Sequence, residues 1–205
     1  MIYLQDLVLL FFLAFTLVLL ITVILNIFYL VPFVPSKKRV IENIITLAGF
    51  KKGEKVFDLG CGDARFLIEA EKKAGIDGTG FEVAPLPLLL AYFNKLIHKS
   101  KIQIMMQNFY KADLSKADTI FCYLLPETMD RLSKKFQTEC KKGTRIFSHT
   151  FHINNMKPVK VWTADKKNKQ PTIYLYQIGH ERHFTGHRFC PDPHPHFSLY
   201  HQRSP

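Results

Sequence analysis

Asp58-Leu59-Gly60-Cys61-Gly62, within VFDLGCGDARF (56–66), sets an acid and two glycines where an apolar stretch turns into a helical pattern. Turns of this kind hold nucleotides, and three ligand classes compete for this one. A phosphate-binding loop of the form G-x-x-x-x-G-K-[ST] is absent. A dinucleotide site wants G-x-G-x-x-G, with backbone N–H groups and a helix N-terminus facing a pyrophosphate. Gly60 and Gly62 fit that pattern, but Arg65 stands where a small third residue is needed. Asp58 and Asp63 flank the glycines and would repel a pyrophosphate. S-adenosylmethionine reverses the charge argument, because it carries a sulfonium and an α-ammonium group and no phosphate. Acids at the loop then become favourable, and glycines let the backbone approach the methionine part closely.

Three further places extend the site. Glu82, 20 residues beyond Gly62, stands at the end of the next apolar stretch, where an acid accepts hydrogen bonds from a ribose diol. A dinucleotide enzyme uses an acid there too, so Glu82 indicates a ribose without choosing the ligand. Asn108 and Phe109 offer an amide for the edge of an adenine and an aromatic for its face; ordinary core packing is the competing role for Phe109. Tyr123 and Glu127, around YLLPETM, are the catalytic candidates. Tyr123 can align an amine through its hydroxyl or simply pack, and Glu127 can act as an acceptor or merely complement a helix dipole.

These residues need a scaffold. Ser36 can cap a helix over 37–48, with Val40, Ile41, Ile44, Ile45 and Ala48 on one face and Gly49 as its stop. KVFDL (55–59), GTGFEV (78–83), KIQIMMQ (101–107), DTIFCYLL (118–125) and TRIFSHTF (144–151) read as strands. Helical patterns at 63–75, 85–100 and 126–143 separate them. PVKVWTA and PTIYLYQI, joined by DKKNKQ, read as a closing hairpin. Strands alternating with helices and ending in a hairpin predict an α/β fold, a parallel sheet with an antiparallel edge. The ligand then sits beyond the carboxyl ends of the strands, where strand order reverses.

Ahead of this domain, Leu7 to Val31 is 25 positions without a charge. At 1.5 Å per residue that is roughly 37 Å of helix, enough to cross a hydrocarbon core of ~30 Å with some tilt. No basic region precedes the stretch, which argues against a cleaved signal peptide. Asp6 lies before it and Lys37, Lys38 and Arg39 follow, so the positive-inside rule puts the domain on the cytoplasmic side. With no Arg-rich amphipathic leader, a bacterial or archaeal plasma membrane is the default setting, and a mitochondrial membrane the alternative. The chain carries a net +11, which suits anionic lipid or nucleic acid; an attached bilayer makes lipid the simpler explanation. Cys61, Cys122, Cys140 and Cys190 form no C-x-x-C pair and read as free thiols. The last 27 residues hold six of the nine histidines and no lysine, and read as a tail outside the core. His180, His183, His187 and Cys190 fit no strong zinc spacing, so no metal site is expected.

Residues 37–178 resemble the seven-β-strand, class I S-adenosylmethionine-dependent methyltransferases through VFDLGCGDARF, GTGFEV and the Asn108 loop. That resemblance implies a Rossmann-like seven-stranded sheet over 36–178, between an anchor at 1–35 and a tail at 179–205. It implies a cofactor held by Asp58, Gly60, Cys61, Gly62, Glu82, Asn108 and Phe109. Ala64 stands where the family often has a third glycine. More narrowly, the chain is similar to the small membrane-anchored lysine methyltransferases related to those of mitochondria that modify the ATP synthase and the adenine nucleotide translocase. The shared layout is an apolar anchor, VPFVPS leading into a helix, the D-x-G-x-G core, and Pro126 after the fourth strand. It implies a lysine of a membrane or membrane-associated protein as methyl acceptor, with residues 7–31 held in the bilayer. Competing acceptors are a lipid or quinone head group and RNA; a non-catalytic cofactor-binding role also competes. RNA is disfavoured because no N-P-P-Y-type loop follows the fourth strand.

Overall fold

A computed structural model of the chain describes residues 2–29, 36–165 and 171–179. The hairpin turn, the Pro-rich exit at 31–35 and the histidine-bearing tail from His180 onward, with its four candidate ligands, lie outside the described residues. Helix α1 (Ile2–Tyr29) is one apolar helix, long enough by length and composition to cross a membrane. The domain follows as α2 (Lys38–Ala48), β1 (Lys55–Leu59), α3 (Arg65–Ala74), β2 (Asp77–Glu82), α4 (Pro85–Ile97) and β3 (Gln103–Met106). A single 3-10 turn, Phe109–Lys111, precedes β4 (Thr119–Cys122), α5 (Pro126–Glu139), β5 (Arg145–His149), β6 (Lys160–Trp162) and β7 (Ile173–Gln177).

The strands form one seven-stranded sheet in the order β3-β2-β1-β4-β5-β7-β6. β1 to β5 pair in parallel, whereas β7 runs antiparallel to both β5 and β6. The parallel strands are near-continuous apolar runs because helices cover both faces. Ile41 and Ile44 of α2, Leu67 of α3 and Ala91 of α4 pack on one face. Leu132 and Phe136 of α5 pack on the other. The chain builds outward from β1 through β2 to β3, then returns to place β4 on the other flank of β1. That reversal opens a crevice at the carboxyl ends of β1 and β4.

Two boundaries differ from the pattern reading. α3 begins at Arg65 rather than Asp63, because Ala64 holds a left-handed conformation (φ 60°) that cannot continue a helix backward. Ser36 does not cap α2: Lys37 is the N-cap residue and makes no side-chain cap, while the Ser36 carbonyl accepts a hydrogen bond from Arg65 Nη1 at 3.2 Å. The α2 face is the one its spacing predicts, with Val40, Ile41, Ile44, Ile45 and Ala48 all buried.

Candidate active site

The turn between β1 and α3 is built by left-handed residues: Gly60 at φ 82°, Gly62 at φ 56° and Ala64 at φ 60°. Glycine reaches this region without penalty. The direction of its amides decides what the turn can hold. Gly60 and Cys61 N–H both donate to the Phe81 carbonyl of β2, at 2.9 and 3.0 Å. Gly62 N–H donates to Glu82 Oε2 at 3.1 Å, and Glu82 Oε1 accepts from the Val83 and Ala84 amides at 2.8 Å each. A pyrophosphate site presents such amides to its ligand. Here they are engaged inside the protein, so the turn has no nest for a phosphate.

Acids are what it offers instead. Asp58, on β1, is only 4% exposed, and no hydrogen bond from the described residues reaches its carboxylate. Burial pushes its pKa well above the usual carboxylate range, and the charges of Glu82 and Asp63 push it further. Burial also raises Glu82, against the three amides that stabilise its ionised form. Asp63 does not join them as a free charge. Arg65 Nε donates to its two oxygens at 2.9 and 2.8 Å, and Arg65 Nη2 contacts it as well. The charge argument against a pyrophosphate therefore rests on Asp58 and Glu82. A buried carboxylate lacking a hydrogen-bond partner, beside a second one, favours a cationic ligand. S-adenosylmethionine, with its sulfonium and ammonium groups, fits this donor-poor, acidic crevice.

The neighbouring candidates take specific places. The Cys61 side chain is buried and packs under β2, where a Cβ added to Gly80 would lie 2.6 Å from its Sγ. Asn108 Oδ1 accepts from Tyr110 N–H at 2.9 Å and caps the short turn that follows. Phe109 is a core side chain on the α5 side of the sheet. Tyr123 follows β4 at the carboxyl edge and is half-buried. Glu127 is exposed in the first turn of α5, away from any buried partner.

One residue escaped the sequence reading. His149 ends β5, in register beside Tyr123, and the two rings meet edge to face at 4.0 Å between centroids. It is buried, neither ring nitrogen has a hydrogen-bond partner among the described residues, and burial lowers its pKa to about 4. The next residue, Thr150, has φ 74°, an uncommon conformation for a β-branched side chain. The only signal in the sequence was a polar residue closing an otherwise apolar strand, TRIFSHTF.

Fold and crevice define a class I S-adenosylmethionine-dependent methyltransferase. The ANTKMT methyltransferase domain matches residues 58–160, and the chain belongs to that family. A protein-lysine N-methyltransferase of Saccharolobus islandicus is 32% identical over 155 residues, covering 74% of this chain and 96% of its own length. An ATP synthase lysine N-methyltransferase of Rattus norvegicus is 26% identical over 152 residues, 72% of this chain. The adenine nucleotide translocase lysine N-methyltransferase of Mus musculus is 26% identical over 153 residues, 70% of this chain. The chain spans 66% of the length of each of these two mammalian relatives. Among solved structures, an RNA methyltransferase from Salinibacter ruber, bound to S-adenosyl-L-homocysteine, superposes with a TM-score of 0.67 at 27% identity. That match covers 73% of this chain and 96% of the other.

Proposed function

We propose that this methyltransferase is anchored by α1 and methylates lysine side chains of membrane or membrane-associated proteins from the cytoplasmic side. The observation that carries the methyl-transfer site is the acidic crevice of Asp58 and Glu82, its turn amides turned inward. The lysine acceptor is supported by relatives that are lysine methyltransferases. The anchor is supported by the length and apolarity of α1 and by Lys37, Lys38 and Arg39 immediately after it.

In this reading Asp58 meets the cationic methionine end and Glu82 the ribose hydroxyls. Gly60, Cys61 and Gly62 let the backbone come close, and Asn108 faces the adenine edge with Phe109 behind it. S-adenosylmethionine, when bound, supplies an electrophilic methyl group. The protein's part is to orient a neutral amine and keep water away. Lysine starts as an ammonium of pKa ~10.4, and a low-dielectric pocket favours its deprotonated form. Tyr123 and His149 sit at the ends of β4 and β5, where the acceptor enters. A hydroxyl and an uncharged imidazole there can hold the amine without adding charge. Glu127, exposed on α5, is the remaining acceptor candidate at the rim.

RNA is the second reading, because the Salinibacter ruber relative is an RNA methyltransferase. Incubating the full chain with membranes, RNA and methyl-tritiated S-adenosylmethionine separates the two. Label recovered as methylated lysine after acid hydrolysis of protein is the expected result. Label confined to RNA or to the lipid extract would overturn the lysine assignment.

A further inference from the structure

A helix packed on a soluble α/β domain buries one stripe and shows polar side chains elsewhere. α4 departs from this. Its Pro87, Leu88 and Ala91 are buried against the domain. On its other side Leu89, Phe93 and Leu96, one and two turns apart, are 64%, 59% and 77% exposed. Leu90, Tyr92 and Ile97 widen that face. Met106 extends it onto β3, the edge strand beside α4, and is 69% exposed. The Tyr92 hydroxyl donates to the Ile104 carbonyl at 3.1 Å, which ties helix and edge strand into one surface. A continuous apolar face of this kind marks an interaction site.

Two observations say what covers it. First, α1 packs against α4, so the apolar face adjoins the one helix among the described residues that is long and apolar enough to cross a bilayer. Second, the charges at this place are basic. α4 contains no acid, and Lys95, Lys99 and Lys101 cluster at its carboxyl end. The acid facing that end, Glu71, is engaged with the Ser100 hydroxyl and with Lys101 N–H at 2.8 Å. An apolar face bordered by lysines is what an anionic bilayer surface binds.

We infer that the outer face of α4 rests in the headgroup–acyl boundary of the bilayer, as a second membrane contact beside the α1 span. This rests on the anchoring reading of α1. It also carries a consequence for the active site. α4 begins at Pro85, one residue beyond Ala84, whose amide is held by Glu82. A helix fixed in the bilayer surface therefore fixes the height of the crevice above it. The enzyme then reaches lysines near the headgroup level rather than those on distant soluble domains.

Tryptophan placed on the full chain tests this in vesicles containing phosphatidylglycerol. With Trp162→Phe removing the native indole, Phe93→Trp reports α4 and Phe15→Trp reports α1. Brominated lipids carry the quencher either near the headgroup or deep in the acyl region. An interfacial helix buries its apolar face about 5–10 Å, so Phe93→Trp should lose roughly half its emission to the shallow quencher. Phe15→Trp should respond to the deep one. Leu96→Trp provides a second probe on the same face, and retained S-adenosylmethionine binding confirms that each variant is folded. If Phe15→Trp is quenched and neither α4 probe is, the inference fails and the anchor stands. If no probe is quenched, the anchoring reading fails and takes the inference with it. Blue-shifted but unquenched α4 probes would mean that a protein surface, a second copy or a substrate, covers this face.

Discussion

The amide of Gly62 donates to Glu82 Oε2 across 3.1 Å, joining the first turn of the domain to the end of the second strand, 20 residues apart. The same carboxylate gathers the Val83 and Ala84 amides. Glu82 thus closes the turn and, in the proposed complex, still has lone pairs for a ribose. Its two roles are coupled.

Glu82→Gln should therefore weaken S-adenosylmethionine binding by at least tenfold, ~1.5 kcal/mol, since charge-assisted hydrogen bonds are lost. Calorimetric titration of the full chain in detergent measures this. An affinity equal to wild type would remove Glu82 from the site.

Asp58 behaves differently, for want of such partners. Because its folded pKa is raised, the folded state retains a proton that the unfolded chain has already released. Stability contributed by this group is thus lost as pH rises from ~4 through the raised value. Asp58→Asn should melt above the wild-type apo protein at neutral pH, with the difference closing toward pH ~4. The same variant should lose the stabilisation that S-adenosylmethionine confers. Thermal melts with and without ligand check both halves, and an apo variant less stable than wild type would contradict the first.

His149 titrates the other way. With its pKa lowered to about 4 by burial, the unfolded chain takes up a proton first as pH falls. Stability is therefore present above pH ~6.5 and lost down to about 4, by up to roughly 3 kcal/mol. His149→Phe keeps an aromatic ring against Tyr123 and removes this dependence. Urea unfolding at several pH values should show a smaller acid loss in the variant; equal losses would mean that the imidazole is not the sensitive group. If His149 also holds the acceptor amine, turnover should fall ~100-fold while S-adenosylmethionine affinity is unchanged.

Ala64 occupies a left-handed position at the start of α3. For a residue with a Cβ that conformation costs about 1 kcal/mol or slightly more. Ala64→Gly should raise the melting temperature by a few degrees, roughly 1 kcal/mol. A lower melting temperature would show that the methyl group's packing outweighs the strain.

Much of this molecule was legible in one dimension. The apolar runs at β1, β2 and β4, separated by amphipathic helices with glycine stops, specify a parallel sheet because period and burial are local properties of the chain. Glu82 could be found because strand ends are set by the same pattern. Asp63 was misjudged because its charge depends on where Arg65 points, and a guanidinium two residues away can lie on either side of a turn. His149 was invisible because its want of hydrogen-bond partners among the described residues is a property of the packed edge between β4 and β5.

The sequence by itself determined the order of elements, the α/β class, the apolar first helix and the acid–glycine turn, all of them encoded in neighbouring residues. Only the tertiary structure decided that the turn amides face inward, that Asp63 is neutralised, that His149 meets Tyr123, and that α4 bares a second apolar face beside α1. Those facts depend on contacts between segments distant in the chain, and on the direction of hydrogen bonds that a string of residue types does not encode.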